Sequence, residues 1–242
     1  MGNFAKWIGG GLGWAVGGPI GALLGFIIGS VVDGASNITI QSQPSRSRTT
    51  SGGYMMSLLV LIAATMKADG KVLRSELDYV KSFLRQNFGE ESASEAIIFL
   101  RDLLKQTIPL NDVCRQIEQN MHYSARLQLL HFLYGIAEAD TAVTPSEQTT
   151  IENIGRKIGI SDRDLESIKA MFIKNTDSAY KILEIETSAT DDEVKKAYRR
   201  MAMKYHPDKI AHLGEEFQKA AQEKFRSVNE AYKTIKKERN MN

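Results

Sequence analysis

The hydrophobic and polar positions after residue 53 follow helical spacing, and no segment shows the alternation of a β-strand. Residues 54–66 are almost wholly apolar, and in the next segment Leu77, Val80 and Leu84 recur on one helical face. Three further stretches, SEAIIFLRDLLKQ, NDVCRQIEQ and SDRDLESIKAMFI, each fit an amphipathic helix. The pattern predicts an all-α protein in which residues 54–175 form a bundle of about seven helices.

An internal repeat relates two parts of this bundle. The segment that begins at Leu58 returns without a gap 71 residues later, which predicts two related helix-turn-helix units. The matching pairs are Leu58/Leu129, Leu59/Leu130, Ala68/Ala139, Asp69/Asp140, Val72/Val143, Ser75/Ser146 and Glu76/Glu147.

Each turn of the repeat places an aspartate seven residues before a glutamate, Asp69 with Glu76 and Asp140 with Glu147. These acids are weak candidates for a divalent-cation site, because calcium takes six to eight oxygens and each turn offers one acid pair. Residues 144–147, TPSE, instead form a helix-capping box with proline at the first helical position. We favour the capping interpretation and predict neither a metal nor a cofactor.

Residues 8–32 carry no charged side chain, and about 25 residues suffice to cross a bilayer as a tilted helix. Glycine recurs at every fourth position, as in helices that pack closely in membranes. We predict a transmembrane anchor over residues 1–33 and a flexible linker over 34–53. Pairing of two anchors into a homodimer is one interpretation and a plain single span is the other; the glycines that would pair are Gly13, Gly17, Gly21 and Gly25.

The C-terminal segment predicts a short helix over 178–183 and then two antiparallel helices joined by a polar turn. Thr190 and Glu193 form a capping box at the start of the first long helix. Pro207 should end that helix near Tyr205 or His206, because proline disfavours helical geometry in the residue before it. The polar side chains of His206 and Asp208 should then face water or a partner. Inward positions are predicted at Val194, Ala197, Tyr198, Met201, Ala202, Tyr205, Phe217, Ala221, Phe225, Val228, Tyr232 and Ile235.

Composition narrows the function classes. A net charge of +2 argues against a dedicated nucleic-acid binder. The single cysteine, Cys114, excludes an intrachain disulfide and fits a reducing compartment. No P-loop, zinc-protease helix or catalytic triad spacing is present, so we do not expect an enzyme.

The C-terminal residues 176–242 resemble a J-domain, the co-chaperone module of the DnaJ family. The resemblance rests on KKAYRRMAMKYHPDK in the second helix, KFRSVNEAY in the third and the Tyr180 to Leu183 spacing in the first. It implies docking on a DnaK-type chaperone ATPase and stimulation of its ATP hydrolysis. The implied docking residues are His206, Pro207, Asp208, Lys195, Tyr198, Arg199, Arg200, Lys204 and Lys209. Many J-domains have a fourth helix, which we expect to be incomplete here, since the sequence ends just beyond Lys237.

The doubled ADG-x-V-x-x-x-E turn resembles the TerB family over residues 54–175, although the second copy has Thr141 in place of the glycine. The order of an apolar span, a TerB-like domain and a J-domain resembles the DjlA group of bacterial co-chaperones. That resemblance implies a single-pass protein of the inner (cytoplasmic) membrane with its C-terminal domains in the cytoplasm. The alternative function is an acidic, stress-sensing or metal-binding TerB-like scaffold with an accessory J-domain.

Overall fold

The computed structural model describes residues 18–31, 51–67, 70, 72, 74–139 and 143–241. These residues form ten α-helices and one 3₁₀ segment, with no strand among them, so the all-α prediction is confirmed. The helices are α1 Pro19–Val31, α2 Ser51–Met66, α3 Arg74–Leu104, α4 Leu110–Asn120, α5 Tyr123–Glu138, α6 Pro145–Lys157, α7 Asp162–Phe172, α8 Ser178–Ile182, α9 Asp191–Lys204 and α10 Glu215–Glu238, and the 3₁₀ segment is Pro207–Leu213.

The first compact unit comprises residues 1–122 and is built around α2. Almost every described side chain of α2 is buried, as its apolar sequence predicts, and the helix packs on α3 and α4. Helix α3 is broken at Gly89, whose φ of 78° and ψ of 167° suit glycine. The break separates two of the helices predicted from the sequence. Helices α2 to α7 therefore give seven helical segments among the described residues of the predicted bundle, because α3 counts as two.

Helix α1 begins at Pro19, a favoured first helical residue, and packs on α3 and α4 within the first unit. Its Ile20 and Ile27 are buried, and the Ile20 N–H donates to Gln116 Oε1 at 3.0 Å. Gly21 and Gly25 lie on this helix, and the space around Gly25 is open. Two of the predicted pairing glycines, Gly13 and Gly17, lie outside the described residues. Within the part of the chain that is described, no helix combines the length and apolarity needed to cross a membrane.

The second compact unit comprises residues 123–242. Helix α5 forms its centre and packs on α6, α7 and the 3₁₀ segment. Helices α8 and α9 pack on the long α10, and α8 also packs on α7. The C-terminal helical hairpin and the second helix pair of the repeat therefore share one compact unit.

The repeat is visible in the helix positions, since α3 and α6 begin at Arg74 and Pro145, 71 residues apart. The division between the two compact units falls between the two copies, inside the predicted 54–175 domain. Helix α2 begins three residues before that domain's predicted start at residue 54. The domain bounds from the sequence stay a prediction.

Candidate functional site

The HPD turn, residues 206–208, follows α9 directly. Helix α9 is capped at its start by Thr190, whose backbone N–H donates to Glu193 Oε2 at 2.7 Å, and it ends at Lys204, as predicted. His206 has extended backbone, φ −62° and ψ 133°, and caps the 3₁₀ segment that starts at Pro207. Its ring Nδ1 accepts the Asp208 N–H at 3.3 Å. The turn is thus a stiff connection between two regular elements.

The polar side chains of the turn face solvent. The His206 side chain is 48% exposed and that of Asp208 is 77% exposed. The His206 ring stands edge-on to Phe225 with 5.6 Å between centroids, and Asp208 Oδ1 accepts a long 3.4 Å hydrogen bond from Gln218 Nε2. Both groups therefore have a fixed direction and weak bonds to their own chain, which leaves them available to another molecule.

Buried residues hold the turn from below. Ile210 and Leu213, on the 3₁₀ segment, are 3% and 0% exposed, and the segment packs on α10. Gly214 then takes a φ of 113°, a conformation that glycine adopts without strain, and lets the chain enter α10. The segment explains how a charged turn stays ordered at the surface.

The predicted docking residues of α9 and of the 3₁₀ segment differ in how far they are exposed. Arg199 and Lys209 are exposed, whereas Lys195 is half-buried. Tyr198 is also half-buried: its ring stacks on Tyr232 at 4.3 Å, and its hydroxyl donates to Asn229 Oδ1 at 3.0 Å. Tyr198 therefore joins α9 to α10.

Two of the predicted docking cations are bound by Glu184. Lys204 Nζ lies 2.7 Å from Glu184 Oε1, and Arg200 Nη2 lies 3.8 Å from Glu184 Oε2. Arg200 Nη2 also donates to the Leu183 carbonyl at 3.1 Å. Glu184 has a left-handed φ of 58°, which is uncommon for a residue with a side chain. This backbone places its carboxylate between the two cations.

Family models match the chain in three segments. Residues 1–48 match the co-chaperone DjlA transmembrane domain, 55–170 the tellurite resistance protein TerB, and 178–241 the DnaJ domain. The three domains occur in the order that the sequence resemblance predicted. The chain therefore combines a DjlA-type transmembrane segment, a TerB domain and a DnaJ domain, as the resemblance to DjlA-like J-domain proteins predicted.

Curated relatives agree with this assignment. The co-chaperone protein DjlA of Vibrio vulnificus (strain CMCP6) is 28% identical over 226 residues, which cover 77% of this chain and 78% of the relative. The DjlA of Coxiella burnetii (strain RSA 493 / Nine Mile phase I) is 26% identical over 224 residues, with 83% and 82% covered. The chaperone protein DnaJ of Fusobacterium nucleatum subsp. nucleatum is 50% identical over 56 residues, which cover 23% of this chain and 14% of that protein. No solved structure matches the chain.

Beside the J-domain turn lies a buried carboxylate that sequence reasoning missed. Asp164, in the first turn of α7, is 3% exposed and accepts four side-chain donors. Its Oδ1 receives Lys204 Nζ at 2.5 Å and the Tyr205 hydroxyl at 3.1 Å. Its Oδ2 receives the hydroxyls of Tyr123 at 2.6 Å and Ser161 at 2.8 Å. We call Asp164 with these four donors the Asp164 cluster.

The charges of this cluster stabilise each other. Burial raises the pKa of Asp164, but the hydrogen bonds from Lys204 and Tyr123 outweigh it and hold that pKa below the usual value. Burial lowers the pKa of Lys204, and the hydrogen bonds to Asp164 and Glu184 raise it above the usual value overall. Both groups therefore stay charged at neutral pH.

Lys224 is a second missed residue. It is 3% exposed on the inner face of α10, with its Nζ 4.7 Å above the Tyr205 ring. Burial lowers its pKa to about 7, which the charge of Asp164 opposes. The sequence could have indicated this burial, because Lys224 lies three residues after Ala221 and four before Val228, both predicted to face inward.

Of the four acids in the turns of the repeat, the structure describes the two glutamates. Asp69 and Asp140 lie outside the described residues. Glu147 closes the predicted capping box, since its Oε2 accepts the Thr144 N–H at 2.8 Å, and Glu76 is buried. Within the described part of the chain, no three His, Cys, Asp or Glu side chains stand together as metal ligands would. The metal-binding alternative stays a prediction that no described contact favours.

Proposed function

We propose that this protein is a membrane-anchored co-chaperone whose HPD turn docks on a DnaK-type chaperone and stimulates its ATP hydrolysis. The observation that carries the proposal is the pair of exposed, oriented polar side chains at His206 and Asp208. An ordered turn loses little conformational entropy on docking, so more of the interaction energy appears as affinity. The relatives named co-chaperone protein DjlA support the same function.

The proposed docking surface has three parts. His206, Pro207 and Asp208 form its centre. Lys195, Arg199, Arg200 and Lys209 supply positive charge that steers an acidic partner, and of these Arg199 and Lys209 are the exposed ones outside the Glu184 contacts. Tyr198 and Lys204 form the third part. Each is bonded within the chain, so we propose that they support the docking surface by holding α9 in place.

The proposed membrane assignment consists of an anchor and its location in the cell. The match of residues 1–48 to the DjlA transmembrane domain supports a membrane anchor. Placing it in the inner membrane as a single pass, with the J-domain in the cytoplasm, follows from the proposed function, because ATP and a DnaK-type partner are found there. A homodimer through Gly13, Gly17, Gly21 and Gly25 and the absence of nucleic-acid binding stay predictions.

The decisive test is single-turnover ATP hydrolysis by a DnaK-type chaperone, measured with and without the full chain. We expect wild-type protein to accelerate hydrolysis and His206→Gln or Asp208→Asn to lose at least about 100-fold of that acceleration, as for a central hot-spot residue worth about 3 kcal/mol. The melting temperature should stay unchanged, because both side chains face solvent.

Matched controls are available in the J-domain itself. His212→Gln changes another exposed histidine, six residues further on, and Asp192→Asn changes an exposed acid in the first turn of α9. Both should stimulate as wild type does. Normal stimulation by either HPD variant would refute the docking role, and a wild-type chain that never stimulates would refute the proposed function.

A further inference from the structure

The HPD turn is held from outside the J-domain. Lys204 and Tyr205, the two residues directly before the turn, both donate to Asp164 on α7. On the other side of the turn, the Ser124 hydroxyl of α5 donates to the Lys209 carbonyl at 3.3 Å. Helix α5 and all of α7 except its last two residues lie within the TerB match, so that part of the chain holds the turn on both flanks.

The connection between the two parts is short and fixed. Five residues separate the end of α7 at Phe172 from the start of α8 at Ser178. The buried Ser167 hydroxyl of α7 also donates to the Ile182 carbonyl at the end of α8, at 2.9 Å. The J-domain hairpin and α7 therefore have a defined relation within the second compact unit.

Asp164 is the central residue of this arrangement. It is nearly fully buried, and a buried carboxylate is stable only when its oxygens are satisfied, which four donors achieve here. Two of the donors, Tyr123 and Ser161, belong to the α5 and α7 side, and the other two, Lys204 and Tyr205, belong to the end of α9. One carboxylate thus couples the position of the turn to that of the TerB-like helices.

We propose that Asp164 is a positioning residue, through which helices α5 and α7 of the TerB-like region fix the HPD turn in its docking posture. The inference rests on the proposed function and adds to it that the functional unit of the J-domain begins at about residue 123 rather than 176. Asp164 does not touch the partner. It limits the freedom of Lys204 and Tyr205, and without it the partner would have to order the turn itself.

The test uses the full chain at increasing concentration in the ATP-hydrolysis assay. Asp164→Asn keeps the size of the side chain and removes its charge. We expect Asp164→Asn to need an about tenfold higher half-saturating concentration than the control Asp162→Asn. This factor corresponds to about 1.4 kcal/mol, the size of one hydrogen bond to a charged group. Asp162 is the matched control, because it lies two residues earlier on the same helix and its side chain is 84% exposed.

A second readout separates positioning from a simple loss of folded protein. Circular dichroism at the assay temperature gives the folded fraction, and unfolding would have to remove about nine-tenths of the protein to mimic a tenfold shift. In native-state hydrogen exchange, the amides of Asp208 and Lys209 should exchange faster in Asp164→Asn, while those of α6 stay unchanged. These amides are bonded to His206 and report on the turn directly.

Tyr205→Phe keeps the proposal testable if Asp164→Asn fails to fold. It removes one hydroxyl donor and keeps the ring beneath Lys224, and it should raise the half-saturating concentration about fivefold, the equivalent of about 1 kcal/mol. Unchanged exchange at Asp208 and Lys209, or a half-saturating concentration equal to that of the control, would overturn the proposal. So would a lower value, which would mean that Asp164 withholds Lys204 from the partner. If the wild-type chain does not stimulate at all, the proposed function fails while the exchange measurement still decides the positioning role.

Discussion

The HPD turn and the Asp164 cluster meet at the end of α9 and have opposite relations to solvent. Asp208 is 77% exposed and accepts one long hydrogen bond from a side chain, whereas Asp164 is 3% exposed and accepts four. A buried, fully bonded carboxylate holds the chain in one arrangement. An exposed carboxylate with weak bonds is free to bind another molecule. The same chemical group therefore stabilises the fold at Asp164 and is available for recognition at Asp208.

The largest contrast is expected in stability. Asp164→Ala removes the carboxylate to which Lys204 and three hydroxyls donate in a buried site, and we expect the free energy of unfolding to fall by about 3 kcal/mol. Asp208→Asn removes an exposed charge, and a change within about 0.5 kcal/mol is expected. Urea denaturation of both variants measures the difference.

Another carboxylate limits the stability that Asp164→Ala can lose. Glu184 remains as a second partner for Lys204, so the loss at Asp164 should stay below that of a pair with no remaining partner. Equal stability of the two variants would contradict the view that the cluster, and not the turn, holds the end of α9.

The next effect concerns Lys224, the buried lysine that lies against Tyr205 of the cluster. Burial lowers its pKa to about 7. In the unfolded chain the pKa of Lys224 is about 10.4. Between about pH 7 and that value the unfolded chain binds more protons than the folded protein, so the free energy of unfolding should rise with pH. Lys224→Met should flatten that rise and increase the free energy of unfolding at pH 7 by about 2 kcal/mol, because it replaces a buried charge by an apolar side chain.

The neighbouring groups titrate outside this window. Burial and then the charge of Lys224 lower the pKa of His131, so its destabilising effect appears as pH falls through about 6.5. The lowered pKa of Asp164 acts below about pH 4, and the raised pKa values of Lys204 and Tyr205 act above about pH 10. Chemical denaturation between about pH 7 and pH 9 therefore reports on Lys224. Parallel pH profiles for the variant and the wild-type protein would exclude this role.

Local features of the site were predictable from the sequence. The capping box of Thr190 and Glu193 lies within four residues, and its bonds are formed as expected. Pro207 ends α9 where steric restriction requires, and the exposure of His206 and Asp208 follows from the lack of apolar neighbours. The capping box of residues 144–147 likewise predicted where α6 begins, because its residues lie next to each other in the sequence.

The missed residues depend on contacts between distant parts of the chain. The sequence identifies Ser161 and Asp164 as the start of a helix, but the partners of Asp164 at Lys204 and Tyr205 lie about 40 residues away. No spacing rule within one sequence connects them. Arg239 is a similar case, because it donates to Tyr180 at 2.9 Å and to the Thr187 carbonyl at 2.5 Å, which fixes the loop before α9.

The central claim, that the exposed turn and not the buried cluster meets the partner, is tested most directly by a hydrogen-exchange footprint. The full chain is measured alone and with a DnaK-type chaperone in the presence of ATP. The account predicts new protection at the amides of Asp208 and Lys209 and along the exposed face of α9 near Arg199, with no change in α6. Protection confined to the TerB-like helices, with the HPD turn exchanging as in the free protein, would contradict it.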